Sequence, residues 1–275
     1  MNDKVSIIIP AFNRKDITRA CVESILDGSY FNLIVIICDS GSTDGTNLLF
    51  QSNSRVKILN LGADDWWSAA VNRGVEYALK KGTKYVIVIN DDISFDSNLV
   101  TQLVNKSKAH PRVIISPAQQ VLEGEFLGTR YTRFLKRRIH LWKPVYEDHV
   151  HVETSNGCCL LIPVEVFKVA GYFDDINCPH LAGDVEFQIR AAKYGFKTYA
   201  FPDIIIRQQT ATNYFRQLKL SNAFSFKGSP ILWSQYLTFG KQLFGGLNNF
   251  VMLGFLYHLS YVWAIVKLCV RRENK

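Results

Sequence analysis

An α/β fold, a mostly parallel sheet flanked by helices, is what this sequence predicts, and three observations predict it. Short β-branched runs alternate with amphipathic helical patterns through roughly the first ninety residues. Three of the apolar runs end in polar strings: PAFNR, DSGSTDG and NDD. The 275 residues are 48% hydrophobic and 20% charged, a balance that supports a sizeable core and excludes a disordered or collagen-like chain.

Residues 5–9 form a β-branched run closed by Pro10, which reads as a buried strand. A helix is expected from about Asp16, a suitable N-cap, with Ile17, Cys21 and Ser24 on one face. Residues 33–38 are the next strand, closed by a string rich in turn residues, and 56–59 a third. Trp67, Ala70, Val71, Gly74 and Ala78 recur at helical spacing. Residues 85–89 form a fourth strand, which stops at Asn90. From 119 to 152 the pattern loosens and becomes basic and aromatic; 158–167 is again periodic, and 171–201 reads as loop, helix and strand.

In parallel sheets ligands bind at the carboxyl ends of the strands, so the three polar strings converge on one edge. Asp39, directly after a strand, can accept from a ribose hydroxyl or a base N–H, or close a turn on its own backbone. Asp91 and Asp92 are adjacent carboxylates, costly together unless a cation or hydrogen bonds compensate. Oxygen ligands suit Mg²⁺ or Mn²⁺, and on an extended chain neighbouring side chains diverge, so one aspartate is the expected ligand. The alternative is a cap for the helix after Ser97.

VSIIIPAFNR, CDSGSTDGT and VINDD, in that order, resemble the signature of family 2 glycosyltransferases of the GT-A fold. The resemblance implies that Pro10, Ala11, Phe12, Asn13, Arg14 and Asp39 cradle a nucleotide, with Asn90 and Asp91 beside them and Asp92 facing a divalent metal, Mn²⁺ or Mg²⁺. DDWWSAAVNRG (64–74) resembles the stretch that packs beneath the nucleotide, which brings in Trp67 and Asn72. Its paired tryptophans resemble a subset that includes rhamnosyltransferases.

GCCLLIPVEVFKVAGYFDD (157–175) and CPHLAGDVEFQIRAAKYGFK (178–197) resemble the acceptor side of the family, where a helix begins with the catalytic carboxylate. Most members carry Glu-Asp there; here the pair is Gly183-Asp184, which leaves Asp184 as base. A carboxylate within reach of an acceptor hydroxyl can take its proton as the oxygen attacks the anomeric carbon. Asp184 also suits an N-cap, whose helix dipole would lower its basicity. Glu186 and His180 are secondary candidates for diphosphate or acceptor contacts. Many members place a histidine after the strand near Phe201; here the stretch is IIIRQQT, so Arg207 stands in its place and would meet phosphate oxygens.

The expected organisation is a GT-A domain over 1–214, with a nucleotide half to about 117 and an acceptor half from 118, then a helical tail over 215–275. Residues 250–266 hold only His258 as a clearly polar and ionisable side chain and would span about 26 Å as a helix, the lower limit for crossing a bilayer. With Arg271 and Arg272 following, an amphipathic helix lying on anionic lipid is the preferred reading. The net charge of +8 alone does not choose between lipid, phosphate and nucleic acid, but no nucleic-acid module accompanies it.

The six cysteines show no C-x-x-C spacing, and the opening apolar run is too short for a secretory signal. A cytoplasmic protein, peripheral at the inner face of the membrane, is expected. It would take a nucleotide-diphosphate sugar and a saccharide or lipid-linked acceptor. Two rivals remain: a sugar nucleotidyltransferase, whose glycine- and lysine-rich phosphate loop is not in the sequence, and an inactive scaffold at the membrane.

Overall fold

The computed structural model describes residues 3–121, 124–126, 128–131, 142–145, 151–180 and 182–208. The first half alternates as the hydrophobic pattern requires: β1 (Val5–Ala11), α1 (Lys15–Leu26), β2 (Leu33–Asp39), β3 (Val56–Asn60), α2 (Trp67–Lys80) and β4 (Tyr85–Ile89). β1 lies between β2 and β4, and β3 flanks β2, all in parallel. All of β4 is buried, because helices cover both faces of the sheet and leave no side for polar alternation. Successive residues still part to opposite faces. Ile7, Ile9, Val35, Ile37, Ile87 and Ile89 share a core with Cys21, Val22 and Ile25 of α1. Ile8, Ile36, Val86 and Val88 share another with Ala70, Val71 and Val75 of α2.

Three local expectations shift. β1 runs through Pro10 to Ala11, since β4 pairs only as far as Ile8 and only β2 continues alongside, so the missing proline N–H costs the ladder nothing on the open side. α1 begins at Lys15, whose N–H is received by Asp44 from the neighbouring loop at 2.8 Å, rather than being capped by Asp16. Its buried face is Thr18, Cys21, Val22 and Ile25; Ser24 is exposed and returns its hydroxyl to Ala20 O. α2 matches its pattern, and Gly74 explains how closely it lies on the sheet. A Cβ there would stand 2.6 Å from Ile8 Cγ2 and 2.9 Å from Cys38 Sγ.

The second half is not a simple continuation. β5 (Ile93–Phe95), α3 (Leu99–Ala109), β6 (Val113–Val121), β7 (Gly124–Phe126), β8 (Gly128–Tyr131), β9 (Trp142–Val145) and β10 (His151–Val152) lead to β11 (Cys159–Pro163), which pairs antiparallel with β4. α4 (Val164–Ala170), α5 (Gly183–Lys193) and β12 (Lys197–Gln208) follow. Among the described residues the main sheet runs β10-β12-β6-β11-β4-β1-β2-β3, with β5 beside β12 and β7 beside β6. It is a mixed sheet, parallel from β3 to β4 and again between β6 and β12. Because β11 is reversed, its beginning lies beside the end of β4, with Cys159 opposite Ile89 and Asn90 N donating to Cys158 O at 2.9 Å. The segment just before β11 thus reaches the edge that carries Asp92.

The basic segment contributes a β8–β9 pairing, Arg130 opposite Lys143; Arg133, Lys136, Arg137 and Arg138 lie outside the described residues. So does the apolar tail. Among the described residues no helix is long and apolar enough to cross a membrane.

Candidate active site

The end of β4 carries the charged centre. Arg14, in the turn after β1, reaches Asp91 through Nη1 at 2.8 Å and Asp92 through Nη2 at 3.2 Å. Both carboxylates are almost wholly buried, and Arg14 is one-third exposed. The expectation that neighbouring aspartates diverge fails here, because the chain turns at 91–92 instead of staying extended. What separates them is their other partners. Asp91 also receives the Thr18 hydroxyl at 2.8 Å. Burial raises its pKa, with the nearby Asp92 charge adding to the rise and Arg14 and Thr18 opposing it. Asp91 is therefore a buried brace against α1, while Asp92 is held by Arg14 at the end of β4.

The loops after β1 and β2 are knitted into one surface. Asn13, at φ +51°, receives Ser42 Oγ as acceptor for its own N–H at 2.8 Å and accepts Thr43 N at 2.8 Å. Ser42 in turn donates to Asp39 through its hydroxyl and through its N–H at 3.3 Å. Asp39 is 2% exposed, so the closed turn anticipated for it is present, while Phe12 stands 53% exposed beside it. Ser40 N donates to Ala11 O at 3.0 Å and Ser40 Oγ to Asp65 O at 2.7 Å, tying the ends of β1 and β2 to the loop after β3. Pro10 and Ala11 supply backbone to this surface.

α2 approaches from the other side of the edge. Trp67 Nε1 donates to Asn90 Oδ1 at 3.2 Å, so the indole that spacing alone assigns to the core also fixes the first residue of the NDD turn. Asn72 is not brought to the site: its amide donates to Phe173 O at 2.9 Å and accepts Phe173 N at 3.0 Å, linking α2 to the loop after α4. His180 lies edge-on to Trp66, with ring centroids 5.3 Å apart, and burial lowers its pKa, which favours the neutral imidazole.

Asp184 sits in the first turn of α5, one residue inside its start rather than at the cap. Its Oδ2 accepts Gly157 N at 2.6 Å, which carries it across to the segment preceding β11. Burial raises its pKa, and the N–H groups of Val185, Gly157 and Asp184 itself pull the other way without overcoming it. The helix start thus pulls in the expected direction, and burial outweighs it. Two glycines allow the close packing here, Gly157 against the carboxylate and Gly183 against Ser68. A Cβ on Gly157 would stand 2.6 Å from Asp184 Oδ2. A Cβ on Gly183 would stand 2.4 Å from Ser68 Oγ, whose hydroxyl donates to Cys178 O at 2.5 Å. Gly183, where most family members carry an acid, is thus required by the packing of α5 on the start of α2.

Glu186 is turned to another task. It pairs with Arg190, Nε to Oε1 at 2.7 Å, while Arg190 Nη2 also donates to Tyr172 O at 2.6 Å. The pair pins the end of α4 to α5. Arg207 is exposed on β12, and its carbonyl accepts Ser94 Oγ at 3.4 Å. Alternation along the strand turns its neighbour Gln208 toward the other site residues, where Gln208 Oε1 accepts Gln119 Nε2 at 3.0 Å. The sequence reading missed Thr18, Ser42, Gly157, Gln119, Asn156 and Gln208. Of these, Ser42, Gly157 and Gln208 lie inside the strings that revealed the rest, and Thr18, Gln119 and Asn156 outside them.

The donor set suits a hard cation of the Mg²⁺ or Mn²⁺ class. Such ions take one or two carboxylates and complete their shell with substrate phosphates and water. Asp92 offers a carboxylate at the strand edge, while among the described residues no cluster of three or more His, Cys, Asp or Glu forms a closed cage. A diphosphate would supply the remaining oxygens.

Comparison with known proteins agrees with this geometry. The model of "Glycosyl transferase family 2" matches residues 6–175, a span that includes Arg14, Asp39, Asp92 and Gly157 and stops before Asp184. The chain is 30% identical over 125 residues to the UDP-Glc:alpha-D-GlcNAc-diphosphoundecaprenol beta-1,3-glucosyltransferase WfaP of Escherichia coli, covering 46% of this chain and 49% of that one. It therefore spans about half the length of that relative. In fold it is similar to the mannosyltransferase PcManGT of Pyrobaculum calidifontis, solved with GDP-Man and Mn²⁺. The TM-score is 0.59 at 16% identity, over 78% of this chain and 60% of that chain. GalNAc-T7, solved with UDP, GalNAc and Mn²⁺, gives 0.61 at 15% identity, over 74% and 43%. At these identities the likeness concerns the fold, which is GT-A. With more than half of its length matched, the chain belongs to glycosyl transferase family 2.

Proposed function

We propose that this glycosyltransferase moves a sugar from a UDP- or dTDP-linked donor to a saccharide or lipid-linked saccharide, inverting the anomeric centre, in the synthesis of a cell-surface polysaccharide. The observation that carries the reading is the reversal of β11. It sets Asp184, bonded to Gly157, on the same sheet edge as Asp92 at the end of β4. The lipid-linked acceptor class takes its support from the name of WfaP, and the divalent metal from the Mn²⁺ in the two similar structures.

In this reading the turns holding Asn13, Asp39 and the exposed Phe12 receive the nucleoside. Arg14 and Asp92 face the diphosphate. A divalent metal held by Asp92 would neutralise charge on the leaving diphosphate. Asp184 accepts the proton of the acceptor hydroxyl while that oxygen forms its bond to the anomeric carbon. The bond from that carbon to the diphosphate oxygen breaks, and its electron pair leaves with the nucleoside diphosphate. No protein nucleophile takes part, so one displacement inverts the centre. The raised pKa of Asp184 makes it a stronger base than a solvated aspartate, provided that it is ionised at the working pH. Membrane contact through residues 250–266 and the basic end of the chain would bring the enzyme to a lipid-linked acceptor, at the cytoplasmic face.

Calorimetric titration with UDP and dTDP, with and without Mn²⁺, tests the reading. The expected result is metal-dependent binding of one nucleotide, lost in Asp92→Ala. No binding of either to the folded protein with Mn²⁺ present would overturn it.

A further inference from the structure

A row of uncharged side chains crosses the site edge between the two carboxylate centres. Trp67 Nε1 donates to Asn90 Oδ1 at 3.2 Å, Asn90 Nδ2 to Cys158 Sγ at 3.7 Å, and Cys158 Sγ to Asn156 Oδ1 at 3.3 Å. Asn156 Nδ2 then donates to Gln119 Oε1 at 2.7 Å and Gln119 Nε2 to Gln208 Oε1 at 3.0 Å. The row joins residues from α2, the turn after β4, the segment before β11, β6 and β12, five places far apart in sequence. Its central member is held rigidly. Ser155 N donates to Gln188 Oε1 at 2.8 Å and Gln188 Nε2 returns to Ser155 O at 2.9 Å, while Gly157 N is bound by Asp184. Asn156 is thus pinned to α5 on both sides, with its own side chain exposed. Burial, helped by the charges of Asp184 and Asp92, pushes the Cys158 thiol up to about 12; it stays a neutral link in the row.

We infer that this row is the floor on which the transferred sugar lies, and that it reads the hydroxyls of an uncharged hexose or deoxyhexose. The inference rests on the sugar-transfer reading above and goes beyond it. The sugar is covalently bound to the diphosphate and must present its anomeric carbon to the base, so its ring has to lie between Asp92 and Asp184. That is where Asn90 and Asn156 stand. An amide carries two donors and an acceptor with two lone pairs, so a linked amide still has the capacity to meet a hydroxyl. Because each is oriented by the next, the row presents donors and acceptors in fixed order, which is how a polar site discriminates between hydroxyl arrangements. Charge sets the class. The row itself holds no cation to pair with a uronate or a sugar phosphate, and the Asp184 carboxylate on the neighbouring Gly157 disfavours either.

The test compares a nucleotide with its sugar conjugates in the full-length protein. Kd values are measured with Mn²⁺ for UDP and dTDP, and for UDP-glucose, UDP-galactose, UDP-glucuronic acid and dTDP-rhamnose, in wild type, Asn156→Ala and Gln119→Met. The expected result has three parts. Wild type binds one neutral conjugate more tightly than its bare nucleotide and disfavours the uronate. The variants keep the nucleotide Kd. They weaken the preferred conjugate about tenfold, the effect of one lost hydrogen bond to the sugar, and flatten its preference over the epimer. A conjugate Kd that follows the nucleotide Kd through both variants overturns the inference and leaves the transferase reading standing. So does a wild type that binds its conjugates no better than the nucleotide. Absence of all nucleotide binding in wild type overturns both. An unchanged nucleotide Kd shows that the variants are folded.

Discussion

The two halves of the site are built on opposite electrostatic plans. Around the end of β4 the structure concentrates charge: two buried carboxylates share one arginine, and a third contact comes from Thr18. Around the start of β11 it concentrates neutral amides, with the Asp184 carboxyl alone among them. The first plan suits a ligand that brings its own charge, a diphosphate with its cation. The second suits a hydroxylated ring and a proton transfer. Salt and metal should therefore act on the first half and pH on the second.

The largest effect should come from breaking the second half at its charge. Asp184→Asn should lower the rate of nucleoside diphosphate release from the preferred donor about 10²–10⁴-fold, the usual worth of a positioned base. The acid limb of the wild-type pH–rate profile should fall above the ordinary aspartate range, since the carboxyl is raised. Stability carries the same sign. A carboxyl whose folded pKa is raised contributes fully only below its unfolded value of 3.8, and that contribution is lost as pH rises through the folded pKa. Asp184→Asn should thus be more stable than wild type at neutral pH, with the gain vanishing in acid. A melting difference that does not change with pH would contradict the assignment.

Gly157→Ala sharpens the comparison, because it moves the base without altering any charge. The added methyl would stand 2.6 Å from Asp184 Oδ2, so the carboxylate or the segment before β11 must shift. A displacement of that order costs about 10²-fold in rate, with nucleotide binding kept. Equal loss of nucleotide affinity would mean that the halves are not separable.

Arg14→Met should strike the first half alone. It leaves Asp91 and Asp92 without their shared cation. Arg14 is one-third exposed, so the loss is screened, and a fall of about 2–4 °C in metal-free melting temperature is expected, as about 1 kcal/mol gives in a chain of this size. Mn²⁺ should restore more of that loss than it adds to wild type; a shift that Mn²⁺ leaves untouched would argue against Asp92 as its ligand. Trp67→Phe should be the mildest change, removing one hydrogen bond to Asn90 while keeping an aromatic ring against Phe173. Its expected cost is about 0.5–1.5 kcal/mol in thermal stability, with no loss of nucleotide binding.

The same contrast explains what could be read before the fold was seen. Runs such as residues 85–89 are apolar because helices bury both faces, and each ends in a polar string that the parallel geometry gathers at one edge. That Arg14, Asp39 and Asp92 stand at one edge was legible for that reason. The direction of β11 was not, since a fully buried CLLIP reads the same in either sense. That direction brings Gly157 to Asp184 and Asn156 to Gln119. The amides belong to separate segments, and no spacing along the chain foretells their meeting. Nor did spacing foretell that Asn72 bonds Phe173 and Glu186 pairs with Arg190.

The most direct test of a divided site is nucleotide titration of Asp92→Ala and Asp184→Asn side by side, with Mn²⁺, using whichever of UDP and dTDP binds wild type. The division predicts that Asp92→Ala loses metal-dependent binding and that Asp184→Asn keeps the wild-type Kd. Loss of binding in both variants, or in Asp184→Asn alone, would contradict it.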